Sequence, residues 1–208
     1  MGNYWDNMFT DEEAANYMEG YGEGANTETR EIIAAFINDG ESVLDSGCGP
    51  AWNFDHFKEQ GINVEYVGID LSPKFVRVAN QRLDERYGIG PILLGDCRKL
   101  EFVDNLFDVV ILQDILEHTN GYEKPIREAL RVAKKRVIIC LWQRFTESDE
   151  DKINDDTDKG DDGYGAMYGK TGFYNFLNSL DYPYIETKTS EKANRQHWYY
   201  IIDKEEPR

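Results

Sequence analysis

Between Ser42 and Leu141 the chain alternates short apolar runs with longer amphipathic stretches. Val43-Leu44, Val64 to Ile69, Ile92 to Leu94, Val109 to Leu112 and Val137 to Leu141 are too short for buried helices and rich in β-branched residues, so they read as buried strands. A helix is expected after Pro50, a second is opened by Ser72-Pro73, and a third spans Lys124 to Ala133. Serine before proline sets an N-cap with proline at the first helical position, where its missing N–H is not needed. Strands that alternate with helices imply right-handed crossovers and a parallel sheet.

The flanks differ. Thr27 to Ile37 places Ile32, Ile33, Phe36 and Ile37 on one helical face, preceded by a glycine break at Gly22 and Gly24 and an acidic, aromatic stretch from Tyr4 to Tyr21. Glu147 to Asp162 is dominated by acids and reads as a mobile loop, because it has too little apolar surface to offset its ordering entropy. A helix near Gly172 to Leu180 follows, then strand-like stretches at Tyr184 to Thr189 and His197 to Ile202. Joined through Glu191 to Arg195, these two pair as a hairpin and add one antiparallel strand. The expected organisation is therefore one α/β, Rossmann-like doubly wound domain. Residues 1–40 form a helical lid and first helix, and 41–208 form the core, with the acidic loop near 146–164.

Forty acidic against 23 basic side chains give a net charge of -17, which repels nucleic-acid phosphates and anionic lipid headgroups. Arg127, Arg131, Lys134, Lys135 and Arg136 cluster, but on the last turns of a predicted helix, where cations suit the negative helix end. Cys48, Cys97 and Cys140 are odd in number and widely spaced, so neither a disulfide framework nor a metal site is expected. With no basic-then-apolar leader and no long apolar span, a cytoplasmic protein that binds neither membrane nor nucleic acid is expected.

The chemistry concentrates where strands end. Val43-Leu44-Asp45-Ser46-Gly47-Cys48-Gly49-Pro50-Ala51 runs from strand through a two-glycine turn into a helix, a turn that lets backbone approach a ligand. Asp70, Asp96 and Gln113-Asp114 then close later strands at the carboxyl edge of the sheet, where ligands of open α/β folds sit. Asp70, about twenty residues past the glycines, suits the hydroxyls of a ribose. A nicotinamide dinucleotide is disfavoured because Trp52 stands where its fingerprint has a third glycine.

The run from Val43 to Leu141 resembles the class I S-adenosylmethionine-dependent methyltransferases, in the small-molecule, UbiE-like branch whose fourth strand leads into Leu-Glu-His, here Leu116-Glu117-His118. The resemblance implies S-adenosylmethionine as cofactor, with S-adenosylhomocysteine as product, and a seven-stranded sheet with its last strand antiparallel. It implies that Asp45, Gly47, Cys48 and Gly49 surround the methionine part, Asp70 takes the ribose hydroxyls and Leu71 packs on adenine. Asp96 accepts from the adenine amino group beside Cys97, and Gln113 lines the pocket near the sulfonium. Two departures stand out: Ala51 replaces a third glycine, and Lys134-Lys135-Arg136 stands where the family has a Pro-Gly-Gly turn.

His118 is the expected general base, since an imidazole titrates near neutrality and follows a strand end. Asp114 and Glu117 are lesser candidates, while His56 and His197 are read as structural. Arg30 is read either as a partner of the cofactor carboxylate or as a solvated side chain. A small-molecule acceptor is expected because the Asn/Asp-Pro-Pro-Tyr element of the base-amino methyltransferases is replaced by Gln113-Asp114-Ile115-Leu116. The other reading kept is a non-catalytic S-adenosylmethionine-binding regulator or scaffold. Tyr4, Trp5, Phe9, Tyr17, Tyr21, Tyr164, Met167 and Tyr168 are expected either to cover the acceptor or to pack ordinary helices.

Overall fold

The computed structural model describes residues 10, 12–14, 16, 27–142, 145–154, 165–190 and 196–204. Helix α1 (Thr27–Ala34) precedes β1 (Ser42–Ser46), α2 (Trp52–Glu59), β2 (Glu65–Asp70), α3 (Pro73–Tyr87), β3 (Ile92–Leu94) and β4 (Phe107–Gln113). A 3₁₀ turn (Leu116–His118), α4 (Glu123–Val132) and β5 (Ala133–Leu141) follow, then β6 (Lys152–Asn154), β7 (Gly165–Met167), α5 (Lys170–Ser179), β8 (Tyr184–Lys188) and β9 (Trp198–Asp203).

Seven strands form one sheet in the order β3-β2-β1-β4-β5-β9-β8. β1 to β5 are mutually parallel, and β9 runs antiparallel to both β5 and β8. The expected architecture is therefore present, and β6 and β7 add a separate two-stranded ribbon.

Side chains alternate across a strand, so the apolar runs feed two cores. On β4, Val109 and Ile111 join Phe54, Phe57 and Leu83 of α2 and α3, with Ile33 of α1. Val110 and Leu112 face the other way, onto Ile126 and Leu130 of α4 and Phe173 and Leu177 of α5. Each of these side chains is buried, and each such burial is worth roughly 1.5–3 kcal/mol. Helices on both faces leave the carboxyl edge of the sheet open for ligands. The cap read at Ser72 forms: its Oγ accepts from the Phe75 N–H at 3.2 Å, with Pro73 opening α3.

Two expectations are corrected. Lys134, Lys135 and Arg136 lie on β5 and not on a helix, because α4 passes into the strand without a turn. The helix-end carbonyls are met from outside: Lys204 Nζ donates to the Leu130 and Ala133 carbonyls at 2.8 and 2.6 Å, and the Asn105 N–H to that of Arg131 at 2.9 Å. Lys135 pairs with Glu41 and Asp108, and Arg136 with Asp203.

The acidic stretch is not wholly loop. Lys152–Asn154 pairs with Gly165–Met167, and Asp149 and Asp151 accept from the N–H groups of Thr171 and Gly169, both at 2.7 Å. Carboxylates there satisfy the orphan donors at the start of α5 and complement its dipole. Of the aromatic residues read as a cover, Tyr4, Trp5, Phe9, Tyr17, Tyr21 and Tyr164 lie outside the described residues. Tyr168 is buried against Tyr122 and donates to the Leu116 carbonyl, an ordinary packing role.

Candidate active site

A cavity of about 410 Å³ opens over the carboxyl ends of β1, β2 and β4. All ten residues expected from the sequence to bind cofactor or take a proton line it: Asp45, Gly47, Cys48, Gly49, Asp70, Leu71, Asp96, Cys97, Gln113 and His118. Sheet order spreads them across it, since neighbouring strands lie roughly 4.8 Å apart. The β2–β3 side carries Asp70, Leu71 and Asp96, the β1–β4 centre carries Asp45 and Gln113, and the β5–β9 side carries Trp142 and His197.

The glycine turn is built by backbone bonding to β2. The Gly47 and Cys48 N–H groups both donate to the Ile69 carbonyl, at 2.8 and 2.9 Å, and the Gly49 N–H donates to Asp70 Oδ2 at 2.9 Å. Those three donors therefore fix the turn. Gly47 has φ +83°, and a Cβ there would lie 2.6 Å from Ile115 Cγ1, so two independent constraints demand glycine. Ala51, where the family has glycine, also lies in the left-handed region with φ +62°.

Asp45 is almost fully buried, and Oδ2 accepts from Asn53 Nδ2 at 2.9 Å and from the Tyr66 hydroxyl at 2.8 Å. Burial dominates over these two neutral donors and pushes its pKa up to about 6. The Asn53 amide also donates to Gln113 Oε1 at 2.9 Å, tying β1, α2 and β4 together. Asp70 Oδ1 accepts from the Ser72 N–H at 2.9 Å, so each of its oxygens holds one backbone donor. Asp70 also lines the cavity. Burial opposes ionisation of Asp96, but the side-chain and backbone hydrogen bonds from Arg98, with the guanidinium charge, hold its pKa below the ordinary value. Burial drives the thiols of Cys48 and Cys97 upward, the latter to about 12, so both stay protonated near neutrality.

The Leu-Glu-His element is a single 3₁₀ turn, whose residues point about 120° apart. Leu116 enters the core, buried Glu117 accepts the Trp142 N–H at 2.7 Å, and His118 lines the cavity. Three consecutive side chains thus serve core, strand end and site.

Four of the cavity residues that sequence reasoning missed carry aromatic or polar side chains suited to a ligand. Trp52, read only as an obstacle to a third glycine, lines the cavity with the Arg82 guanidinium 4.3 Å from its ring centroid. Asn53 carried no motif. Trp142 follows the end of β5 and was within reach of the strand-end rule. His197, read as structural, enters because β9 is antiparallel: Trp198 pairs with Leu141, so the residue before β9 emerges at the carboxyl edge. Arg30 is also a lining residue. His56 is buried on α2 and is not among the lining residues.

A family profile described as a methyltransferase domain matches residues 44–141. Norajmaline N-methyltransferase of Rauvolfia serpentina is 35% identical over 98 residues, 45% of this chain and 32% of that protein. The ubiquinone/menaquinone biosynthesis C-methyltransferase UbiE of Burkholderia mallei is 34% identical over 119 residues, 56% of this chain and 49% of that protein. The chain thus spans a third to a half of the length of these curated relatives. A S-adenosylmethionine-dependent methyltransferase from Aquifex aeolicus shares the fold, with TM-score 0.65 and 16% identity, covering 90% of this chain and 97% of that one. Residues 44–141, just under half of the chain, are thus similar to a methyltransferase domain, and the seven-stranded sheet that they anchor is the fold shared with the S-adenosylmethionine-dependent methyltransferase from Aquifex aeolicus.

Proposed function

We propose that the protein is an enzyme that transfers the methyl group of S-adenosylmethionine to a small-molecule acceptor. The observation that carries this reading is the convergence of all nine expected cofactor residues, together with His118, on one cavity. The relatives are named as methyltransferases of norajmaline and of ubiquinone/menaquinone biosynthesis, which supports a small acceptor here.

The side chains present suit that cofactor. Asp45 is a buried carboxylate whose partners Asn53 and Tyr66 are neutral and whose pKa is raised, an arrangement that a ligand ammonium would relieve. The Asp70 carboxylate is an acceptor for a vicinal diol, and Leu71 and Phe75 line the same cavity as apolar surface for a purine. When bound, the cofactor supplies an electrophilic methyl carbon. The chain's own contribution is orientation, which can be worth roughly 7–11 kcal/mol when near-attack geometry is held. His118, which lines the same cavity, is our candidate to accept the proton that the acceptor loses.

The test is thermal unfolding with S-adenosylmethionine, S-adenosylhomocysteine or NADH, beside Asp70→Ala. Ligand at about 100 times its Kd adds roughly 2.7 kcal/mol to the native state. Both adenosyl ligands should raise the midpoint, NADH should not, and Asp70→Ala should abolish the response. No response to either adenosyl ligand in the wild type would overturn the reading.

A further inference from the structure

Asp114 closes β4 in a left-handed conformation, φ +52°, which asparagine and aspartate tolerate better than other side chains. That conformation puts its carboxylate at the cavity, about one-fifth exposed, with its back to a buried polar group. His197 Nε2 lies 3.4 Å from Oδ2 and the Cys140 thiol 3.6 Å from Oδ1, while Thr29 Oγ1 lies 3.5 Å from His197 Nδ1. Thr29 and His197 are each 2% exposed and Cys140 is fully buried. If Nε2 carries the ring proton toward Asp114, Nδ1 accepts from the Thr29 hydroxyl, and one tautomer serves both contacts. Residues from α1, β5 and the segment before β9 thereby brace a single carboxylate that lines the cavity.

In that tautomer the imidazole, like the Thr29 hydroxyl and the Cys140 thiol, carries no charge, and the Asp114 carboxylate lines the cavity. Trp142, which follows the end of β5, lines the same cavity. A carboxylate and an aromatic residue in one cavity can hold an organic ammonium, which takes an ion pair from one and a cation–π contact from the other. Sheet order places this pair on the side away from β3, beyond the groups expected to hold the nucleoside.

We propose that Asp114 and Trp142 form the acceptor subsite, that it selects an acceptor carrying a protonated amine, and that His197 is a positioning residue that aims Asp114. This rests on the methyltransferase reading of the same cavity. It concerns the half of the site that the cofactor residues leave open.

The experiment titrates the S-adenosylhomocysteine complex with phenethylammonium, phenethyl alcohol and phenylacetate, reading the unfolding midpoint and the heat of binding. The ammonium should bind at least tenfold more tightly than the alcohol, and phenylacetate should give no response. Asp114→Asn, which tolerates the same backbone, should remove that preference while the response to S-adenosylhomocysteine stays at the wild-type level. Trp142→Leu should weaken the ammonium alone, which keeps the test decisive if Asp114→Asn does not fold. His197→Ala should weaken the ammonium several-fold and His197→Gln, whose amide can still donate to Asp114, should restore most of it.

Equal binding of ammonium and phenylacetate, no binding of the ammonium, or an ammonium preference unchanged in Asp114→Asn would each overturn the proposal. So would one equivalent of a transition metal in the purified protein, lost in His197→Ala, since the ligand-type atoms of Asp114, Cys140 and His197 all lie within 4.8 Å of one another. Failure of the methyltransferase reading would show separately, as absence of a wild-type response to S-adenosylhomocysteine.

Discussion

The hydroxyl of Tyr66, on β2, donates to Oδ2 of Asp45, on β1, at 2.8 Å beneath the floor of the cavity. It joins the Asn53 amide in holding a carboxylate that burial keeps hard to ionise, with a pKa of about 6. Unfolding returns Asp45 to its ordinary value near 4, so the unfolded chain loses that proton first. The native state therefore holds its full advantage below about pH 4 and loses it as the pH rises to 6, by on the order of 2–3 kcal/mol. Asp45→Asn keeps an oxygen for both donors and removes the titration. Chemical denaturation from pH 4 to 8 should show wild type losing ground to the variant up to pH 6, with a constant gap above. A gap that is flat throughout would show that Asp45 does not titrate in this window.

Gly47 and Ala51 sit at the two ends of the same turn, both with positive φ, and should respond in opposite ways. Gly47→Ala drives a methyl into Ile115 as well as straining the backbone, and should cost about 1–3 kcal/mol, or roughly 2–4 °C of midpoint per kcal/mol, with loss of the S-adenosylhomocysteine response. Ala51→Gly relieves a left-handed alanine worth about 1–2 kcal/mol, but gives up buried packing and adds unfolded-state entropy. Its midpoint should stay within about 1 kcal/mol of wild type and its ligand response should persist. Thermal scans of both variants with and without ligand decide the matter.

Lys204 stands in for the turn that this chain lacks between α4 and β5. Its ammonium reaches Asn105 Oδ1 as well as the carbonyls of Leu130 and Ala133. Lys204→Met keeps the length of the side chain and leaves those acceptors without their donor. Urea titration should show a loss of about 1–3 kcal/mol, with S-adenosylhomocysteine affinity unchanged because the site is elsewhere. An unchanged urea midpoint would mean that solvent serves these carbonyls equally well.

His118→Asn separates chemistry from cofactor binding. With an acceptor that supports turnover, kcat should fall by about 100-fold or more, while S-adenosylhomocysteine affinity is preserved. A rate within a factor of two of wild type would leave proton removal to another group or to water.

Sequence alone determined the strand–helix alternation, the glycine turn and the acids at strand ends, because each is a local pattern: a period, a backbone conformation, a residue type at an element boundary. Those patterns, with the family resemblance they carry, put nine positions expected to hold cofactor and His118 on one cavity, since parallel strands end on one edge by construction. Sequence also misplaced Lys134 to Arg136, because a helix-end cation and a strand cation look alike until partners such as Glu41, Asp108 and Asp203 are known. The hydrogen bonds from Asp149 and Asp151 to the start of α5 likewise depend on α5 standing beside them.

Only the tertiary structure decided that His197 belongs to the site, for the direction of β9 is a property of the assembled sheet and not of the segment. It alone also decided that Asp45 is buried and pushed toward neutrality, and that Asp114 faces the cavity with a histidine behind it. Desolvation and side-chain aim depend on residues brought together from distant parts of the chain, and no local pattern encodes them.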